Sequence, residues 1–144
     1  MNSSHDAALQ KLLGEMAAAV ACLDREAAEQ VLESVQTVEP ESVRVDVLNQ
    51  LLLMTGHELH QKVAWEIQQL GSPSSVPFIR QVLERGFEPF DYTFSESGVI
   101  AKWFSHALAA INTPESIALI REFTRSEDKE VAEEMAYRLE RLSL

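Results

Sequence analysis

The sequence predicts an all-α protein of about eight helices, and three observations carry that prediction. Apolar residues recur at spacings of three and four along almost the whole chain, which is the pattern of an amphipathic helix. Strict alternation of apolar and polar residues over five or more positions is nearly absent, so strands are not expected. A segment of the chain also repeats later in the sequence, as helix-pair proteins do.

Eight apolar stripes follow one another, and each is long enough for one helix. They begin at Leu9, Val31, Val43, Val63, Phe78, Ile100, Ile117 and Val131. Residues typical of helix ends follow the fourth, fifth and sixth stripes, namely Gly71, Gly86 and Asn112. Pro40 precedes the third stripe and suits a helix start. Thr113 followed by Pro114 is an N-cap with proline in the first helical position. Ser126 is expected to cap the last helix.

The internal repeat aligns residues 70–76 with residues 111–117, an offset of 41. A third copy in the last helix has an offset of 31, since Met135, Leu139 and Leu142 match Phe104, Leu108 and Ile111. An insertion at about residues 87–97 accounts for the difference of ten. Pro77 stands where the second copy has Ala118, so the helix there should start late or bend. Repeats of this length, each one helix pair, predict a stacked α-solenoid.

Several short motifs between His57 and Leu142 occur together in a known group of proteins. They are the His57–Gln61 entry, the Gly71–Val76 turn, the aromatic and acidic loop around Tyr92, the pairs Lys102-Trp103 and Ala107-Leu108, and the Asn112–Glu115 turn. With these motifs the chain resembles small bacterial HEAT-repeat proteins of the toxin-immunity type. The resemblance implies a short HEAT-like α-solenoid forming a single domain over residues 1–144. It covers the repeats of residues 57–144, whereas the N-terminal helices of residues 1–56 have no counterpart in it.

Composition narrows the class of partner. The chain of 144 residues carries 23 acidic and 12 basic residues, a formal net charge of −11. That charge argues against nucleic-acid binding, which needs a basic surface, and favours a basic protein partner.

The single Cys22 excludes an internal disulfide and fits a reducing compartment, and it is expected to be a buried, inert thiol. No segment has the length and apolarity of a membrane span or the basic start of a signal peptide, so no membrane association and a cytoplasmic location are expected.

No motif predicts an enzyme, a metal or a cofactor. His57 and His60 are three residues apart, whereas the zinc-protease motif needs a spacing of four on one helix face. We expect His60 instead to pack against the preceding helix. No nucleophile motif, phosphate-binding glycine loop or paired catalytic carboxylate is present. The prediction is therefore a protein without catalytic, cofactor-binding or metal-binding residues.

The inserted loop is the predicted contact surface. Residues 87–96 contain four of the ten aromatic residues, with three carboxylates interleaved. Aromatic anchors rimmed by charge are typical of interface hot spots. The predicted partner-binding residues are Glu84, Glu88, Phe90, Asp91, Tyr92 and Glu96. The alternative is that part of the loop, Phe87 and Phe94 above all, covers the ends of the flanking helices.

The function expected from the resemblance and the charge is that of an immunity protein that binds and neutralises a basic bacterial toxin domain. Two alternatives stay open at this point. One is a general HEAT-repeat adaptor or scaffold for protein–protein interaction. The other is a HEAT-type lyase acting on a bound pigment. Arg80 and Arg121 occupy equivalent positions of the repeat, where they could form ion pairs between helices or face a partner.

Overall fold

A computed structural model describes residues 3–142, and it confirms the all-α class. No strand occurs within these residues, which form eight α-helices and two short 3₁₀ segments. The helices are α1 (Ser3–Ala21), α2 (Arg25–Val35), α3 (Glu41–Leu53), α4 (His60–Leu70), α5 (Val76–Arg85), α6 (Ser97–Ile111), α7 (Pro114–Phe123) and α8 (Lys129–Leu142). The 3₁₀ segments are Pro73–Ser75 and Glu88–Thr93.

The chain falls into two compact units that divide between Val63 and Ala64, inside α4. The first unit contains α1, α2 and α3, which pack on one another. Its core is built from the apolar stripes of these helices, including Met16, Val35 and Leu51, none of which is exposed. The expectation of a single solenoid domain over residues 1–144 stays a prediction.

Two neighbouring histidines, whose ring centroids are 4.2 Å apart, close the C-terminal end of α3. The last carbonyl groups of a helix have no partner within it, so they need donors from elsewhere. His57 Nε2 donates to the Leu51 carbonyl and His60 Nε2 donates to the Met54 carbonyl, each at 2.7 Å. The Leu59 N–H donates to His57 Nδ1 at 3.0 Å, which makes His57 a neutral imidazole with its proton on Nε2. Both rings are buried, and the predicted packing of His60 against the preceding helix is confirmed.

Acidification should weaken the first unit through His57. Burial lowers the pKa of His57 below the ordinary value of 6.5, although its hydrogen bond to Leu51 acts in the opposite direction. A group whose pKa is lower in the folded state contributes full stability above its unfolded pKa and loses that contribution as the pH falls through the folded pKa. We expect the urea midpoint to fall between pH 7.5 and pH 5.5. The fall should be smaller in His57→Gln, and an equal or larger fall in that variant would contradict this assignment.

In the second unit, α6 and α8 run parallel. Hydrogen bonds join Gly98 to Glu130, Ser105 to Glu134 and His106 to Arg138. Because the residue numbers increase in the same direction along both helices, α6 and α8 are parallel. These pairs are separated by 32, 29 and 32 residues, close to the offset of 31 in the sequence repeat. Likewise, Arg80 on α5 reaches Glu122 on α7 across 42 residues, next to the offset of 41. The predicted repeat therefore corresponds to real neighbours in space within this unit.

The two copies of the repeated turn share one backbone conformation at the helix end. Gly71 and Asn112 are both left-handed, with φ of 58° and 52°, and each donates its N–H to the carbonyl four residues earlier at 3.0 Å. The copies then differ because Pro77 has no N–H to donate to the Pro73 carbonyl. The first turn becomes the 3₁₀ segment, and α5 starts at Val76, which is the first of the two predicted alternatives, a late start or a bend. The second copy begins at Pro114 with the expected Thr113 cap, which bonds Ser116.

Two local predictions are wrong. Ser126 does not cap α8, because its hydroxyl accepts the Asp128 N–H at 3.1 Å, and the Asp128 carboxylate instead accepts the N–H groups of Glu130 and Val131. Cys22 is exposed rather than buried. It lies just beyond the end of α1, where the chain turns towards α2.

Candidate functional site

The loop between α5 and α6 is a short, ordered segment of 3₁₀ helix. Arg85 ends α5, and Gly86 turns the chain with a φ of 91° that favours glycine. In the 3₁₀ segment that follows, residues three apart lie on the same side. Phe87 precedes the segment and Phe90 lies within it, so both rings point the same way. Phe94 then ends the segment in a left-handed conformation with a φ of 55°.

Phe90 is part of the core and does not belong to the exposed surface where it was predicted. Its side chain is fully buried, with ring centroids 6.1 Å from Phe87, 6.2 Å from Trp103 and 6.0 Å from Phe104. Aromatic pairs at such separations stabilise a core beyond their buried area. Phe90 thus fastens the loop to α6, and a partner has no access to its ring. The spacing of three between Phe87 and Phe90, with Pro89 between them, is the sequence signal for this 3₁₀ face.

Phe94 is the exposed aromatic residue of the loop. Its side chain is 95% exposed, although the sequence offered it as a cover for the helix ends. Its left-handed backbone is uncommon for a residue with a Cβ and unfavourable for a bulky one. This backbone conformation is unfavourable, and burial of the side chain does not compensate for it. Such a combination suggests that Phe94 has a function.

The predicted acidic contact residues are exposed, and they differ in whether another side chain pairs with their carboxylate. Arg80 Nη1 donates to Glu84 at 3.3 Å and to Glu122 at 3.0 Å, and the bond to Glu122 is the main cause that raises the pKa of Arg80. Glu84 is therefore already paired. The carboxylates of Glu88, Asp91 and Glu96 have no ion pair or hydrogen bond with any residue of the described range 3–142.

Tyr92, the remaining predicted residue, is partly buried on the 3₁₀ segment. It already makes an interaction within the protein, so it is not a free contact residue.

A groove beside the loop brings Glu96 together with residues that the sequence analysis did not single out as a site. It has a volume of about 400 Å³ and lies between the first turns of α6 and α8. The lining residues are Glu96, Gly98, Val99, Lys102, Glu130, Glu133 and Glu134. Of the six predicted contact residues, Glu96 is the one that lines it. The repeat offset of 31 could have predicted this meeting, since it pairs Val99 with Glu130 and Lys102 with Glu133.

One lining residue of the groove, Glu134, belongs to a polar network between α6 and α8. Ser105 Oγ donates to the Glu134 carboxylate at 2.7 Å, and Arg138 Nη2 donates to the same carboxylate at 3.3 Å. Arg138 Nη2 also donates to His106 Nε2 at 3.0 Å, which requires a neutral imidazole. Burial, followed by the positive charge of Arg138, lowers the pKa of His106. Glu134 and Arg138 therefore satisfy each other and are not available to a partner.

The described residues include no group of three or more histidine, cysteine, aspartate or glutamate side chains placed to hold a metal ion. None of the helices in residues 3–142 is long and apolar enough to cross a membrane. No protein family matches the chain, and no curated protein or solved structure matches it either.

Proposed function

We propose that this protein captures and neutralises a basic protein toxin, in the manner of an immunity protein. The observation that carries the proposal is the exposed ring of Phe94 in a loop that also carries three carboxylates without an ion pair or hydrogen bond in the described residues. Interface hot spots combine an aromatic anchor with a charged rim, and an acidic surface accelerates encounter with a basic partner. The net charge of −11 extends the same attraction over the whole chain.

Leu23 is a second exposed apolar residue, and comparison with it shows why Phe94 is the better candidate for an anchor. Leu23 is 92% exposed and also left-handed, with a φ of 55°. The charged groups that follow it are already used, because Asp24 caps α2 and Arg25 pairs with Glu29 and Glu58. In the loop that carries Phe94, the carboxylates of Glu88, Asp91 and Glu96 have no such partner within residues 3–142, so this loop offers both parts of a recognition site.

The test of function is protection of a cell. The protein is co-expressed with the product of the gene immediately upstream of its own, and growth and complex formation are measured. Restored growth together with a stable complex supports the proposal. A complex without inhibition would indicate an adaptor, and absence of any complex or protection would overturn the proposal.

Replacing Phe94 by alanine should weaken that complex by about 2 kcal/mol, or roughly 30-fold in Kd, chiefly through faster dissociation. Leu23→Ala removes a similarly exposed apolar side chain from the other unit and should leave Kd unchanged. Surface plasmon resonance gives both rate constants. Equal effects of the two substitutions would show that Phe94 is not an anchor.

Neutralising Glu88 and Asp91 together, as Glu88→Gln with Asp91→Asn, should act on association instead. Both carboxylates are exposed, so they steer the encounter more than they hold the complex. We expect a lower association rate and a flatter dependence of that rate on salt. An association rate unchanged at low ionic strength would contradict this role.

A further inference from the structure

Hydrogen bonds join the two helices that form the walls of the groove between α6 and α8. The Gly98 N–H donates to Glu130 Oε1 at 3.2 Å, and this bond ties the first turn of α8 to the first turn of α6. Gly98 permits the approach, because a Cβ at this position would lie 3.1 Å from the same oxygen. Ser105 and Glu134 tie the two helices again about two turns further along α6. A groove with walls fixed in this way loses little conformational freedom when it is filled.

The groove combines one exposed apolar side chain with carboxylates from both of its sides. Val99, on the α6 side, is the apolar side chain among the lining residues, and it is 48% exposed. Glu96 before α6 and Glu133 on α8 both line the groove, and neither has an ion pair or hydrogen bond through its carboxylate within residues 3–142. Lys102 is the cation among the lining residues. The complementary ligand therefore carries an apolar side chain between two cationic ones.

We infer that this groove receives a basic amphipathic segment of the protein partner, with an aliphatic side chain against Val99 and lysine or arginine side chains at Glu96 and Glu133. The inference rests on the proposed function and identifies the part of the partner that is recognised. Charge complementarity favours this occupant over nucleic acid, whose phosphates the carboxylates repel. A second copy of this chain carries a net charge of −11 and is disfavoured for the same reason.

The ligand must be recognised through side chains. The described residues contain no strand whose edge could pair with a peptide, and the Gly98 N–H at the groove is already used by Glu130. Shape and charge of the segment thus decide its affinity. A segment with its apolar and basic side chains on one helical face satisfies both walls at once.

The experiment uses the full chain and a fluorescein-labelled peptide in which one leucine is flanked by lysines four residues before and three residues after, in an alanine and glutamine background. Fluorescence anisotropy measures affinity, and ¹⁵N–¹H spectra locate the contact. We expect shifts at the amides of Gly98, Val99 and Lys102. The double variant Glu96→Gln with Glu133→Gln should bind at least tenfold more weakly.

The matched control, Glu26→Gln with Glu33→Gln, removes two exposed carboxylates of α2 in the other unit. It should change affinity less than twofold, and a peptide with serine in place of leucine should bind weakly to the wild-type protein. Equal losses in both double variants, or amide shifts elsewhere, would overturn the inference in favour of general charge attraction. If the Glu96 and Glu133 variant keeps full affinity for the toxin and full protection, the groove is wrong while the proposed function stands.

Discussion

Replacing Phe90 by alanine should lower the free energy of unfolding by about 3–5 kcal/mol, the usual cost of emptying the site of a buried phenyl ring. The ring is fully buried against three other aromatic side chains, so its loss leaves a cavity that the 3₁₀ segment cannot close without moving. The measurement is a urea titration followed by circular dichroism. It also tests the corrected placement of Phe90.

Phe94→Ala is the matched control for this experiment. It removes the same phenyl ring four residues later in the same loop, where 95% of the side chain is exposed. Its unfolding free energy should change by no more than about 0.5 kcal/mol. If both variants are equally unstable, or both equally stable, the assignment of one ring to the core and the other to the surface is wrong.

Removing the Glu134 carboxylate should cost about 3 kcal/mol, because it leaves the Arg138 guanidinium largely buried without its counter-charge. The two side chains are only 11% and 13% exposed, so water can replace little of the lost interaction. Glu134→Ala is compared with Glu133→Ala, which removes the neighbouring and exposed carboxylate and should leave stability unchanged.

A double variant separates charge from packing at this network. Glu134→Leu with Arg138→Leu removes both charges, and it should recover a substantial part of the stability that Glu134→Ala loses. Chemical denaturation of the four proteins gives the comparison. A double variant that is less stable than Glu134→Ala would show that the pair acts mainly through its hydrogen bonds to Ser105 and His106.

The parts of the fold that could be predicted are those determined by neighbouring residues. The turn after α4 and the turn after α6 follow from Gly71 and Asn112 in left-handed positions and from the cap and proline that come next. The late start of α5 follows from Pro77 alone, since the missing N–H is a property of that residue. The N-cap of α8 could not be predicted in this way, as Ser126 and Asp128 show. Both can cap a helix, and the path of the backbone decides which of them does.

The site was predicted less well because a loop has no helical periodicity to show which residues are buried. Phe90 and Phe94 are the same residue type in the same segment, and the 3₁₀ path puts one inside and the other outside. Glu133 could not be placed beside Glu96 by any local signal, because the two are 37 residues apart. Only the repeat offset indicates that α6 and α8 are neighbours. It predicts which helices pack together, but not which of their side chains form a binding surface.

The 3₁₀ loop has an anchored half and a free half, and this division bears on how new specificities could be engineered. Phe87 and Phe90 hold the segment to the core, while residues 91–96 contain Asp91, Glu96 and Phe94, which are all exposed. A library that keeps the two anchors and varies positions 91, 94 and 96 would change the recognition surface without emptying the aromatic cluster. The same chain could in this way be redirected to a different basic partner while its helices and their packing stay as they are.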